Sequence, residues 1–258
     1  MIENAEPLQD IAHIGHVELL TPKPVESLWY FTDLLGLEVA HAEGQSVYLR
    51  GYGDYAATSF KLTEAPAPGI GHVAWRAVSE AALQRRAVAI EATGLGIGWA
   101  NGDFGHGRCY QFRDPDGHLL VLIEARTFAP GDWQDYRGAI CGPLLEYSLM
   151  TRSISTATPF WQALGFETVA AGLEPHPWLR LTGFGLSIGL HETAYFEPGP
   201  SYRVSDLNTR LAFLAAKNLK PTERRALSAP LHAGVTLLAP ERTPIYLFEA
   251  NAATFPWR

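Results

Sequence analysis

The sequence predicts an α+β protein made of four βαβββ modules, two in each half of the chain. At 258 residues the chain is long enough for two domains of about 100 to 150 residues each. Residues 27–40 are echoed by residues 157–170, which indicates a tandem duplication with a diverged second half. Within each half, the order of strand, helix and further strands occurs twice. We therefore expect a first domain over 8–125, a linker over 126–142 and a second domain over 143–250.

Local patterns predict the individual elements. Residues 11–20 read as a strand, and a proline-containing turn then leads to a helix over 25–35, whose apolar residues are spaced by three and four. Gly36 stands where a glycine that ends a helix belongs. The rest of the first half is predicted as strands at 46–50, 58–64, 71–78, 108–113 and 118–124, with a helix over 80–92. The second half repeats the order with a strand at 143–149, a helix at 155–163, strands within 167–191 and at 200–204, a helix at 206–217 and strands up to 249.

Composition limits the kinds of protein to consider. Hydrophobic residues make up 47% of the chain and charged residues 18%, which suits folded cores. Twenty basic residues stand against 27 acidic ones, and no basic stripe exists, so nucleic acid and anionic membranes are poor partners. The two cysteines, Cys109 and Cys141, support neither a disulfide framework nor a thiolate metal site. The polar N-terminus and the lack of a long apolar run predict a cytoplasmic protein, and a homo-oligomer is compatible with these features.

Five short motifs carry a resemblance to a known superfamily. They are Gly15-His16-Val17-Glu18-Leu19, Leu35-Gly36-Leu37, Val47-Tyr48-Leu49-Arg50, Gly71-His72-Val73-Ala74 and Phe112-Arg113-Asp114-Pro115-Asp116-Gly117-His118. Together with the βαβββ order, they resemble the vicinal oxygen chelate superfamily of glyoxalases, bleomycin resistance proteins and dioxygenases. Within it, the chain is most similar to the type I extradiol catechol dioxygenases, specifically over 11–125 and mostly in topology over 143–249.

This resemblance implies both a fold and a chemistry. Paired modules of the family curl into half-barrel domains, and the second half-barrel holds Fe(II), occasionally Mn(II), on two histidines and one glutamate. Such a triad leaves coordination positions open for a catechol and O₂, whose reaction cleaves the ring next to a hydroxyl.

The same resemblance indicates that the triad of this chain is incomplete. The matching positions are His16, His72 and Val121 in the first half and Leu145, Gly199 and Tyr246 in the second. Two imidazoles without an anionic oxygen ligand hold Fe(II) weakly. Glu124 replaces Val121 only if a bulge resets the strand register, because side chains alternate along a strand. We therefore expect no metal cofactor, with Fe(II) on His16, His72 and Glu124 as the alternative, and we expect Lys61 to pair with Glu18 in the first half.

The second half is predicted to carry a small-molecule site for an aromatic or phenolic compound. The predicted catalytic residues are His191, Tyr246 and Tyr147, and the predicted substrate-binding residues are Arg203, Ser201, Phe248, Leu145 and Gly199. An imidazole can act as an acid or base near neutral pH, tyrosines can donate a proton, and a guanidinium can anchor an acidic group. The structural alternative is that His191 binds Glu192 or the backbone and that Arg203 is a surface residue beside Asp206.

Three functions fit these observations. The favoured hypothesis is a metal-independent enzyme that acts on an aromatic or phenolic small molecule. The second is an active Fe(II)-dependent extradiol dioxygenase that uses the first half-barrel. The third is a non-catalytic protein that binds and sequesters an aromatic compound. The triad separates the second hypothesis from the others, and turnover separates the first from the third.

Overall fold

The computed structural model describes residues 10–54, 56–124, 138–173, 176–182, 186–193, 198–226 and 233–249. These residues form two eight-stranded mixed sheets, one from each half of the chain. None of the described helices is long and apolar enough to cross a membrane.

The first sheet contains two βαβββ modules. Its elements are β1 (Ile11–Thr21), α1 (Pro24–Trp29) with a π-helical continuation (Tyr30–Leu34), β2 (Glu38–Glu43), β3 (Ser46–Arg50), β4 (Phe60–Glu64), β5 (Gly69–Ala77), α2 (Glu80–Ala92), β6 (Gly96–Asn101), β7 (Arg108–Arg113) and β8 (Leu119–Glu124). The strand order is β2-β3-β4-β1-β5-β8-β7-β6, so the first strands of the two modules, β1 and β5, are neighbours at the centre. Parallel pairs join β1 to β4 and β5 to β8, while the outer strands pair antiparallel.

The second sheet repeats this arrangement. Its elements are β9 (Leu144–Thr151), α3 (Ile154–Ala163), β10 (Glu167–Gly172), β11 (Trp178–Thr182), β12 (Leu186–Glu192), β13 (Gly199–Val204), α4 (Leu207–Ala216), β14 (Glu223–Ala226), β15 (Ala233–Leu238) and β16 (Pro244–Glu249). The order is β10-β11-β12-β9-β13-β16-β15-β14. The predicted α+β fold of four βαβββ modules is confirmed. The domain boundaries stay a prediction, and residues 126–137 of the predicted linker lie outside the described residues.

Local chemistry explains where the helices begin and end. The Ser79 side chain accepts a hydrogen bond from the Ala82 backbone N–H at the start of α2, as an N-cap residue does. Gly36 and Gly165 follow α1 and α3 with φ of +83° and +92°, which are left-handed angles that favour glycine. Between α1 and Gly36, the Leu35 N–H donates to the Tyr30 carbonyl at 3.0 Å, the five-residue spacing of a π-helix. The predicted end of the first helix is thus confirmed.

Candidate metal centre

Two histidines and one aspartate come together in the first sheet. His16 lies on β1, His72 on the neighbouring β5, and Asp103 in the loop after β6. One ligand atom from each residue lies within 4.8 Å of the other two. The His72 Nε2 atom is 3.2 Å from the Asp103 Oδ2 atom, and their side chains are 12% and 18% exposed. His16 is buried.

A tight turn presents the Asp103 carboxylate. The His106 N–H donates to the Asp103 carbonyl, and the Gly102 N–H donates to the Gly107 carbonyl, both at 2.9 Å. Gly105 has φ of +75°, which favours glycine. A Cβ atom at position 102 would overlap the Gly107 carbonyl oxygen, so a glycine is needed there for the two ends of the turn to approach.

The three side chains form the donor set that suits a divalent metal ion. Two imidazole nitrogens and one carboxylate oxygen make up the two-histidine, one-carboxylate triad of non-haem Fe(II) sites. The carboxylate supplies the anionic oxygen that two histidines alone lack. The residues present therefore fit the metal that the resemblance implies.

Strand register excludes Glu124 from this group. In the parallel pair of β5 and β8, Ala74 lies opposite Val121 and Ala77 lies opposite Glu124, without a shift between them. Since side chains alternate, Val121 shares a face with His72, and Glu124 points to the other face. The alternative triad that used Glu124 was therefore wrong about its carboxylate.

Buried apolar side chains share the face of the first sheet that carries His72. Ala74, Cys109, Val121 and Ile123 form a buried hydrophobic cluster in the first sheet. Burial, and secondly the charge of Asp103, raises the pKa of the Cys109 thiol. A protonated thiol is a poor metal ligand, so Cys109 contributes to the apolar surface and not to the donor set.

The expected pairing of Lys61 with Glu18 is confirmed. The Lys61 Nζ atom lies 3.0 Å from the Glu18 Oε1 atom, and both side chains are only 13% exposed. Thr63 donates a hydrogen bond of 2.7 Å to the same oxygen. The Lys61 ammonium also lies 5.6 Å from the centre of the Tyr48 ring. Glu18 lies on β1 with His16, Lys61 and Thr63 lie on the neighbouring β4, and Tyr48 lies on β3 beyond it.

The second sheet separates its predicted site residues onto two faces. Ser201 lies opposite Glu146 on β9 and opposite Tyr246 on β16. By alternation, this face also carries the predicted Gly199, Arg203 and Phe248. Leu145 and Tyr147 belong to the opposite face, where Tyr147 is fully buried. The side chain of β9 that joins the predicted polar face is thus Glu146, which is itself buried.

The remaining predicted catalytic residue, His191, lies on β12. Its Nδ1 atom is 3.0 Å from the Nε2 atom of His176. Glu192 accepts a hydrogen bond from the Ile154 N–H at the start of α3. The structural alternative named Glu192 or the backbone as the partner of His191, and the structure shows His176 as a partner of its imidazole.

Comparison with known proteins places the first half most clearly. A family model described as the Glyoxalase/Bleomycin resistance protein/Dioxygenase superfamily matches residues 13–122. A metapyrocatechase of Geobacillus stearothermophilus is 49% identical over 126 residues, which cover 48% of this chain and 38% of that protein. A manganese-dependent 2,3-dihydroxybiphenyl 1,2-dioxygenase of Geobacillus genomosp. 3 is 32% identical over 115 residues, which cover 44% of this chain and 36% of that protein. The matches thus span little more than a third of each relative.

Solved structures extend the likeness to nearly the whole chain. A 2,3-dioxygenase from Pseudomonas sp. KL28 superposes with a TM-score of 0.80 at 19% identity and covers 94% of this chain and 93% of that one. The homoprotocatechuate 2,3-dioxygenase of Arthrobacter globiformis gives a TM-score of 0.83 at 14% identity, with 94% and 81% covered. At these identities the likeness concerns the fold, which is the two-domain fold of extradiol dioxygenases.

These findings correct the expectation that the chain has no metal cofactor. A relative named as manganese-dependent matches 44% of the chain, and three residues that could hold a metal ion, His16, His72 and Asp103, converge in the first sheet. The expectation considered a carboxylate on β8, whereas the structure brings Asp103, from the turn between β6 and β7, to His16 and His72.

Proposed function

We propose that the chain, whose residues 13–122 match the model of the Glyoxalase/Bleomycin resistance protein/Dioxygenase superfamily, binds Fe(II) or Mn(II) on His16, His72 and Asp103 for extradiol cleavage of a catechol. The observation that carries this proposal is the convergence of three ligand atoms within 4.8 Å. The named activities of the relatives support the substrate class, because they include a metapyrocatechase and a 2,3-dihydroxybiphenyl 1,2-dioxygenase.

Each of the three residues has a distinct part in this proposal. The histidines sit on adjacent central strands, so the sheet fixes their separation. Asp103 adds the negative charge that offsets a divalent ion. When bound, the metal supplies open coordination positions opposite the three protein ligands and redox chemistry toward dioxygen.

The surroundings of the triad suit a planar, partly polar substrate. The buried cluster of Ala74, Cys109, Val121 and Ile123 gives the face of the sheet beside His72 small apolar side chains. Because the pKa of the Cys109 thiol is raised, Cys109 remains neutral within this cluster.

The test is a comparison of two carboxylate variants. The metal-free protein is reconstituted anaerobically with Fe(II) or Mn(II), its metal content is measured, and ring opening of catechol, 2,3-dihydroxybiphenyl and homoprotocatechuate is followed by absorbance. Asp103→Asn should weaken metal binding by about 100-fold or more and abolish turnover, because it removes the anionic ligand. Glu124→Gln is the matched control and should retain both. A wild-type protein that binds no metal, or a metal site sensitive to Glu124 and not to Asp103, would refute the proposal.

A second candidate is binding of an aromatic or phenolic compound by the polar face of the second sheet. Its support is the Ser201 hydroxyl, which is fully buried and has no hydrogen-bond partner among the described residues. Beside it, the Tyr246 and Phe248 rings are nearly parallel, with centroids 6.5 Å apart. Titration with phenols and aromatic acids tests this candidate. Tyr246→Phe should weaken binding, whereas Tyr147→Phe, on the opposite face, should leave it unchanged, and equal effects of the two would count against it.

A further inference from the structure

A side-chain hydrogen bond links the turn that carries Asp103 to strand β5. The Nη2 atom of Arg76 is 3.1 Å from the Nε2 atom of His106. Arg76 follows His72 by four residues on β5, so the two side chains share a face of that strand. His106 is the last residue of the turn that Asp103 begins. The link therefore connects the strand of one ligand to the loop of another.

The direction of this hydrogen bond follows from the chemistry of the two groups. A guanidinium has only donors, so Arg76 donates and the His106 Nε2 atom accepts. The imidazole then carries its proton on Nδ1. Arg76 is itself held in place, because it is fully buried and its Nη1 atom donates to the Glu124 carbonyl at 3.1 Å. His106 is thus bound to a fixed point of the sheet.

We propose that His106 is a positioning residue of the metal centre. His106 accepts a hydrogen bond from Arg76 on β5 and so fixes the position of the turn. In that position the Asp103 carboxylate contacts His72. This inference rests on the proposed metal centre. Asp103 needs such support because it is the ligand of the three that lies on a loop, whereas the sheet fixes both histidines. Groups that orient metal ligands in this way are typically worth about 10- to 100-fold in metal affinity.

Two amide variants of different length test the proposal. The side-chain oxygen of His106→Gln can occupy the place of the imidazole Nε2 atom and accept from Arg76, whereas the shorter side chain of His106→Asn cannot reach it. Affinity for Mn(II) is measured by calorimetry on metal-free protein, and the visible spectrum of the Co(II) form reports the coordination geometry. Circular dichroism of the metal-free variants establishes that both are folded. His118→Ala is a control, because His118 bonds Asp114 in a neighbouring loop at 2.7 Å.

We expect His106→Asn to weaken Mn(II) binding by about 10- to 100-fold and to change the Co(II) spectrum. His106→Gln should stay within about threefold of wild type, and His118→Ala should be unchanged. If the wild type binds Mn(II) and the His106→Asn and His106→Gln variants bind it with equal affinity, the positioning role alone is overturned. A wild type without metal affinity would overturn the proposed metal centre and this inference with it.

Discussion

Replacement of Lys61 by methionine should destabilise the protein through Glu18. The ammonium lies 3.0 Å from the Glu18 carboxylate, and both side chains are 13% exposed. Methionine keeps most of the side-chain volume and removes the charge, so the carboxylate would remain in a mostly buried place with Thr63 as its recorded side-chain donor. Loss of one partner of a fully buried ion pair costs about 3–5 kcal/mol. Because some solvent reaches this pair, we expect a loss of about 2–3 kcal/mol in the free energy of unfolding.

A second ion pair of the same sheet is a matched control. Arg50 binds Glu38 at 2.9 Å, but the side chains of Arg50 and Glu38 are 19% and 40% exposed. Solvent screens this pair, so Arg50→Met should cost about 1 kcal/mol or less. The two variants remove one cation each from neighbouring strands, and they differ mainly in how far the remaining carboxylate is buried.

Urea denaturation of the metal-free protein, followed by circular dichroism, measures both variants. The double variant Lys61→Met with Glu18→Gln should regain about 1 kcal/mol or more relative to Lys61→Met, because a neutral amide needs no cation. Gly71→Ala should also destabilise, since a Cβ atom there would overlap the Glu18 side chain. If Lys61→Met costs no more than Arg50→Met, the carboxylate is solvated after the change and the reasoning from burial fails.

Three further changes test other parts of the structure. Asp10→Asn should cost about 3 kcal/mol in urea denaturation, because the buried carboxylate binds Arg85 at 2.6 Å and Arg86 at 2.7 Å; a loss below about 1 kcal/mol would contradict this. Burial lowers the pKa of His13 from 6.5 to about 4, so the unfolded chain takes up a proton first and stability should fall by about 3 kcal/mol from pH 7 to pH 4. His13→Gln should flatten that decline in a pH series of unfolding curves, and an unchanged slope would refute the assignment. Tyr147→Phe should raise the melting temperature slightly, because it removes a buried hydroxyl without a hydrogen-bond partner among the described residues; a marked loss of stability would show that the hydroxyl is bonded.

Sequence patterns predicted the central elements of the fold and missed two outer strands. The buried strands and the helices with spaced apolar residues were found, as was the turn at Gly36. The missed strands, β2 and β6, lie at the two edges of the first sheet. Edge strands bury little, so β2 alternates weakly, and β6 begins in a glycine-rich segment that resembles a loop. Their pairing with β3 and β7 defines them, and pairing between segments is not visible in a local pattern.

The predicted second-half site depends on a strand register that a local sequence pattern does not contain. Matching the two halves by their Leu-Gly positions placed Leu145 at the site. In the sheet, the pairing between β9 and β13 shifts between Ser201 and Tyr202. A shift of one residue moves every side chain of a strand to the other face. Glu146 lies opposite Ser201, Leu145 falls between the two paired positions of β9, and no single-sequence pattern records this irregularity.

The first-half site shows why a donor set is harder to predict than a strand. Two histidines on adjacent central strands are fixed once the sheet is known, and the alternative hypothesis of an Fe(II) site named both. The third ligand depends only on which carboxylate reaches them. The alternation of side chains along β8 correctly predicted that Glu124 faces away from the histidines. It carried no information about the turn between β6 and β7, which brings Asp103 toward His72 on β5. The signal available in the sequence was Gly102-Asp103-Phe104-Gly105-His106-Gly107, in which glycines permit a tight turn and two polar side chains point to chemistry. The lack of a carboxylate at the expected strand position is therefore not evidence against a metal site. The positions of the carboxylates on the neighbouring loops have to be known first.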